Sequence, residues 1–306
     1  MALLAARMND LQLCNTHGPA PLPDGARSVR INGKSTVRVG DAFGCGGCPN
    51  RVKTGASTVT IGGEFAARLT DQSDHAGWVT TGSTNVRIGG PRGMGCVGAG
   101  KSLCQAMAAG RKSGQTHQSY GNCVLESVRQ IRRQATGTDI TEDEMLRLAE
   151  ERRKAYKRYA EQQGGPVEPE PGSVPDSERG GSDGDAGCAL LNDWGVPAER
   201  FPPDKKAPGL NDLKNLISDR RGVVAFVDPH QISPNLYPDS GNHAVVVIGV
   251  EVDDKGQVTA VYINDTGAGE CGKKVPAAVF ASALQNLPSH KDVGGAPLIV
   301  TKGPIW

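Results

Sequence analysis

Two hydrophobic periods divide this chain. Over residues 1–95, apolar and polar positions alternate in short bursts: VRINGKSTVRVGD ends at Asp41, VTIGGEFAARLTD ends at Asp71, and a truncated copy, VRIGG, starts at Val86. Each burst breaks at Asn32-Gly33 or Gly62-Gly63 and then resumes, which is the pattern of two strands joined by a two-residue turn. The copies recur about every thirty residues, and units of that length cover one another's apolar faces. Three pseudo-repeated hairpins about one axis, a compact tapered all-β body, are therefore expected over residues 1–95.

Beyond residue 115 the period lengthens. Behind Cys123, the residues Val124, Leu125, Val128 and Ile131 fall on one helical face, with Gly121 and Asn122 breaking the chain before them. TEDEMLRLAEERRKAYKRYAEQQ predicts a long solvated helix, opened by the capping-box pair Thr141 and Glu144. Residues 164–187, rich in Pro, Gly, Ser and acidic side chains, predict a flexible loop. CALLNDWGV and LNDLKNLISDRRG read as helices, and VVAFVD, His243 to Asp253 and Gln257 to Asn264 read as antiparallel core strands with a turn at Asp254-Lys255-Gly256. VPAAVFASALQNL reads as a late helix and PLIVTK as a last strand. Helices first and sheet second predict an α+β domain over 115–306, joined to the first by a Gly-rich linker over 96–114 with one short helical turn around Leu103 to Ala109.

The chemistry lies in a few polar positions inside these apolar frames. Cys123 stands at the start of its helix, where unpaired amides and the helix dipole favour the thiolate. His243 heads one apolar strand, and Asn264 and Asp265 stand at the foot of the next. Nucleophile, base and orienting residue are thus present, with Asn264 and Asp265 both open for the third role. In the first half, Cys14 and His17 form C-x2-H, Cys45 and Cys48 form C-x2-C, and His75 follows in the third turn. Tetrahedral zinc accepts such a set. His117 and His230 fall in no pattern that aims them at Cys123 and are expected at the surface.

Composition narrows the function classes. With a formal net charge of +1, the chain has no electrostatic footprint for nucleic acid or an anionic membrane. Its apolar runs are too short to span a bilayer, and MALLAAR lacks the form of a signal peptide, so synthesis in the cytoplasm and exit without a cleaved signal are expected. Eight cysteines in such a chain suggest metal ligands, a nucleophile and buried thiols rather than a disulfide framework.

MNDLQLCNTHG, the paired V-x-I-x-G and R-[VL]-x-D elements and TTGSTNVRIGG resemble the PAAR-repeat proteins that sharpen the tip of the type VI secretion spike. That resemblance implies a zinc-tipped cone docking by its base on the trimeric valine-glycine-repeat spike protein. The metal ligands it implies are His17, Cys48 and His75, with Cys14 or Cys45 as the fourth. The second half resembles papain-like cysteine peptidases, with a layout nearest the bacteriocin-processing peptidases: a glutamine then Cys123 on the first helix, HAVVVIGV on a strand, INDTG on the next, and VPAAVF after it. It implies Cys123 as nucleophile, His243 as base, Asp265 or Asn264 as orienting residue, and Gln118, or Gln115, as oxyanion donor. Together the resemblances imply a secreted effector: a delivery tip fused to a cysteine protease toxin that cuts a protein in a neighbouring bacterium, held in check by a cognate immunity protein. The same fold also hosts deamidases, acyltransferases and cell-wall peptide hydrolases, and a non-enzymatic adaptor is the remaining alternative.

Overall fold

The computed structural model describes residues 1–109, 122–151, 184–202, 208–287 and 296–306. The first part is built from β1 (Leu3–Leu4), β2 (Leu11–Cys14), β3 (Gly18–Pro21), β4 (Ala26–Ile31), β5 (Lys34–Thr36), β6 (Ala42–Cys45), β7 (Cys48–Arg51), β8 (Gly55–Ile61), β9 (Glu64–Ala66), β10 (Trp78–Val79) and β11 (Arg87–Ile88). The hairpins β4–β5 and β8–β9 turn at Asn32-Gly33 and Gly62-Gly63, all four with positive φ, as a tight hairpin turn requires. The copy at Val86 is not truncated. Its β11 finds its partner strand in β1, near the start of the chain.

Three segments then close on one another in a ring. Ala6 N–H donates to Ala67 O (2.9 Å), Ala67 N–H to Val37 O (2.9 Å), and Val37 N–H to Ala6 O (3.1 Å). A second ring repeats the arrangement from Met8 to Ser35, Val39 to Phe65 and Leu69 to Leu4, each at 2.8 Å. Small and β-branched side chains stand at the centre because three backbones converge there, and Ala6, Val37 and Ala67 are all fully buried. Each segment carries one Arg-x-x-Asp clamp: Arg7–Asp10, Arg38–Asp41 and Arg68–Asp71. In each, the aspartate amide also returns to the arginine carbonyl, which fixes the bend where the chain leaves the ring.

The second part comprises β12 (Arg92–Gly95), α1 (Val97–Ala109), α2 (Cys123–Thr136), α3 (142–151), α4 (Gly184–Asp193), β13 (Ala198–Phe201), α5 (Leu210–Ser218), β14 (Arg221–Val227), α6 (Pro229–Ile232), β15 (His243–Val252), β16 (Val258–Asp265), β17 (Glu270–Pro276), α7 (Ala277–Gln285) and β18 (Leu298–Pro304). An antiparallel sheet runs β13-β18-β14-β15, with β16 and β17 continuing from the other edge of β15. Val223, Ala225, Val245 and Val247 pack on α5 and α7, while Val224, Phe226, Ala244 and Val246 pack on α2 and α4. Both faces are covered, so β14 and β15 read as unbroken apolar runs instead of alternating ones. This is the α+β arrangement expected of the second half. No described helix is long and apolar enough to cross a membrane.

The expected linker over 96–114 is corrected where it is described. Residues 97–109 form a helix, and β12 just before it pairs with both β8 and β15, so one sheet passes from the first part into the second. Glycines there permit close approach, not flexibility. A Cβ on Gly98 would stand 2.4 Å from the Gly63 carbonyl carbon, and one on Gly95 would stand 2.5 Å from Ile248 O. Glu64, in the β8–β9 hairpin, accepts the Ala99 amide at 2.7 Å and caps α1 across the boundary. Cys104 of α1 forms a disulfide with Cys271 of β17, a pairing that the sequence pattern leaves unassigned. Residues 184–187, expected in the flexible loop, are the first turn of α4; residues 164–183 and the distal part of the expected long helix lie outside the described residues.

Phe65 joins the two halves most directly. It is fully buried, meets Tyr262 edge to face at 5.5 Å and lies over Gly93. Phe65→Ala is expected to cost about 3–5 kcal/mol. Because the core is shared, denaturant unfolding followed by tryptophan fluorescence and by far-ultraviolet dichroism should remain one coincident transition; two separated transitions would show the halves folding independently.

Candidate active site and metal centre

Cys123 is the first residue of α2, and α2 is laid across β14 and β15 by Val124, Val128 and Ile131. Its placement along the sheet is set one turn on, where Ser127 Oγ donates to the carbonyl of Ala244 at 3.3 Å. That contact brings the start of the helix to the start of β15, and hence Cys123 to His243. The preceding residue, Asn122, makes no side-chain cap; its amide instead donates to Glu142 at 3.0 Å. The first turn therefore keeps amides for the sulfur, among them that of Val124.

His243 Nε2 lies 2.7 Å from Asp265 Oδ1, which leaves Nδ1 as the ring nitrogen for the Cys123 thiol. Asp265 ends β16 and is further fixed by the Ala268 amide at 3.1 Å. Burial would raise the thiol's pKa, but the hydrogen bond and charge of His243, with the amides of Ala244 and Val124, outweigh it and hold Cys123 below the usual thiol range. Burial also opposes charge on His243, yet Asp265 and Cys123 raise the imidazole to about 10. Burial opposes ionisation of Asp265 as well, and His243, Ala268 and Tyr237 reverse that and keep it a carboxylate. These shifts favour a thiolate–imidazolium pair backed by a carboxylate, the form that a cysteine nucleophile with its acid already loaded would take.

Asn264 has a different task. Its Nδ2 donates to Gly100 O (2.8 Å) and Gln130 Oε1 (3.0 Å), and its Oδ1 accepts from Gly272 (3.0 Å). Adjacent residues on a strand face opposite ways, so Asp265 meets His243 while Asn264 ties α1, α2 and β17 together. Gln118, Gln115 and His117 lie outside the described residues. His230 is half-buried and binds the Tyr237 carbonyl through Nδ1 at 2.8 Å. Tyr237 was not singled out by sequence: its hydroxyl reaches Asp265 Oδ1 at 3.2 Å from a segment with no periodic pattern.

In the first part, the hairpin ends gather Cys14, His17, Cys45 and His75, whose ligand atoms lie within 4.8 Å of one another. Both thiols sit 3.6 Å from His17 Nδ1. Gly46 lets the β6–β7 turn come this close, since a Cβ there would stand 2.6 Å from that of His17. Two thiols and two imidazoles suit tetrahedral zinc, and His75 Nδ1 is buried without a hydrogen-bond partner, as a waiting ligand would be. Cys48 is corrected: it is exposed and outside this cluster, and both Cys14 and Cys45 belong to it. The burial alternation of β6 turns Phe43 and Cys45 inward, whereas the return strand reaches the interior only at Asn50.

No family model matches this chain, and no curated protein matches it. Among solved structures, a Bacillus anthracis crystal structure described as a C39-like peptidase is similar over 59% of this chain and 88% of that one, at 15% identity and a TM-score of 0.34. That likeness is too distant to bear on the assignment.

Three outcomes are expected. Alkylation of Cys123 by iodoacetamide, mapped by mass spectrometry, should persist below the pH at which an ordinary thiol ionises. Asp265→Asn should move that acid edge upward, because loss of the carboxylate lowers the His243 pKa and removes the cation that holds the thiolate. In zinc titration of the full chain, Cys45→Ser should weaken binding at least tenfold while Cys48→Ser leaves it unchanged; the reverse order would reject the four-residue cluster.

Proposed function

We propose that this chain is a type VI secretion effector: a PAAR-like zinc-bearing tip followed by a papain-like cysteine protease. The observation that carries the enzymatic half is the Cys123–His243–Asp265 alignment, with His243 Nε2 given to the carboxylate at 2.7 Å and the thiol hydrogen-bonded to the same ring. The thiolate attacks a peptide carbonyl, forming the S–C bond, while amides at the start of α2 face the developing oxyanion. His243 then gives its proton to the departing amine as the C–N bond breaks. Water, deprotonated by the now neutral His243, attacks the thioester carbonyl, the S–C bond breaks, and the thiolate–imidazolium pair is restored as the acid product leaves. Asp265 keeps the ring in the tautomer each step requires. Gln118 is the further oxyanion donor the papain resemblance suggests.

The delivery half rests on the ring of three Arg-x-x-Asp segments, the Cys14, His17, Cys45 and His75 cluster at the hairpin ends, and the motifs that resemble PAAR repeats. Cys14, His17, Cys45 and His75 would hold zinc, which supplies structural cross-linking of three hairpin ends there and no step of catalysis. The partners are the trimeric valine-glycine-repeat spike protein, a protein substrate in the recipient bacterium, and an immunity protein that occludes the cleft in the producer. The chain is made in the cytoplasm and acts in the recipient's cytoplasm.

The test is growth of bacteria expressing the full chain in the cytosol, with and without Cys123→Ala, while proteomics looks for new protein termini. Killing by the wild type alone, with new termini, is the expected result. Killing without new termini would replace proteolysis by deamidation or acyl transfer, and equal growth of both strains would remove the cytosolic protease reading.

A further inference from the structure

We infer that Tyr237 is a positioning residue of the cysteine site, a hydroxyl donor that fixes the Asp265 carboxylate against His243 and a ring that keeps water from their hydrogen bond. The inference rests on the hydrolase reading above and extends it to a residue outside the triad. The Tyr237 hydroxyl lies 3.2 and 3.5 Å from the two Asp265 oxygens and 3.4 Å from His243 Nε2. The single proton on Nε2 is already given to Asp265 at 2.7 Å, so the phenol's own proton goes to the carboxylate. The phenol ring lies tilted against the imidazole with centroids 5.2 Å apart. Burial, followed by the Asp265 charge and hydrogen bond, pushes the phenol well above its usual pKa, so it remains a donor across any working range.

The chain around Tyr237 is built to hold it there. Between β14 and β15 it leaves the sheet at Asp228 and returns beside it, since Asp228 accepts the amides of both His230 (3.2 Å) and Gly241 (3.3 Å). Within this strap the Tyr237 amide donates to Ser233 O, its carbonyl is bound by His230, and Ser233 Oγ accepts from Lys273 at 2.5 Å. Opposite, Gly267 leaves the necessary room: a Cβ there would stand 2.4 Å from the Tyr237 hydroxyl and 2.7 Å from His243 Cε1. A strap closed on itself, a glycine seat and a hydroxyl touching two members of the triad are one arrangement with one purpose.

The charged and titratable groups around Asp265 are His243 from β15, Tyr237 from the strap, Cys123 from α2 beyond the imidazole, and Glu270 from β17, itself paired with Lys273 at 2.6 Å. Of these, Tyr237 bridges both carboxylate oxygens, so its removal frees the Asp265 carboxylate to turn away from His243 and weakens the imidazolium that holds the Cys123 thiolate. The experiment is iodoacetamide alkylation of Cys123 in the full chain across about pH 5 to 9, for wild type, Tyr237→Phe and Tyr237→Leu, with exposed Cys48 as internal reference. Each protein is assayed well below its own thermal unfolding midpoint, so that loss of fold cannot imitate the effect. Tyr237→Phe should move the acid edge upward and slow alkylation on that side about tenfold, the rate equivalent of one hydrogen bond to a charged group. Tyr237→Leu, which also removes the ring, should move it at least as far. Profiles of both variants that superimpose on the wild type would overturn the role of Tyr237. A wild type that alkylates no faster than Cys48 at acidic pH would instead remove the hydrolase reading.

Discussion

The two largest described hydrophobic cores of this molecule meet at β15. All ten of its residues are buried, with α2 and α4 on one face and α5 and α7 on the other. One edge is shared lengthwise, β14 pairing with its first half and β12 with its second, and β16 occupies the opposite edge. A strand enclosed on four sides has no freedom of register, because a one-residue slip would exchange the two cores. His243, its first residue, inherits that rigidity. His243 is thus held by a strand enclosed on all sides, and Cys123 and Asp265 are brought to it by elements that pack against the same strand.

That constraint also explains what could be read from sequence. Strong periodicity survived into the structure: the Asn32-Gly33 and Gly62-Gly63 hairpins, the Cys123 helix, and the strands headed by His243 and ended by Asp265 all stand where pattern placed them. Asp265 and Asn264 could not be separated by composition, since both are polar residues at a strand end and only the facing of the strand assigns them. Tyr237 was invisible for a related reason. Its position comes from a strap closed by Asp228, a long-range return that leaves no periodic trace.

The Gly-rich stretch after β11 shows the opposite error. Glycine signals turns and linkers when nothing else is known, but it equally marks places where backbones touch. At Gly95, Gly98 and Gly100 the second meaning holds, and α1 is wedged between the β8–β9 hairpin and β15. Likewise Cys48 carries the right spacing for a metal ligand and the wrong orientation, a distinction that C-x2-C spacing does not contain. The two halves are thereby bonded through one sheet, with Glu251 on β15 receiving Ser57 from the first half and Lys274 from the second.

The pairing of β1 with β11 has a consequence for assembly in time. Leu3 and Leu4 leave the ribosome early, yet their partners Ile88 and Arg87 follow only after the whole ring sequence has been made. Hairpins β4–β5 and β8–β9 close over a few residues and can form as they emerge, whereas the third hairpin spans the unit and bears the largest loop-closure entropy. The ring is thus a lock whose first-made piece is inserted last, and until then the edges facing Leu4 and Ala6 stand open.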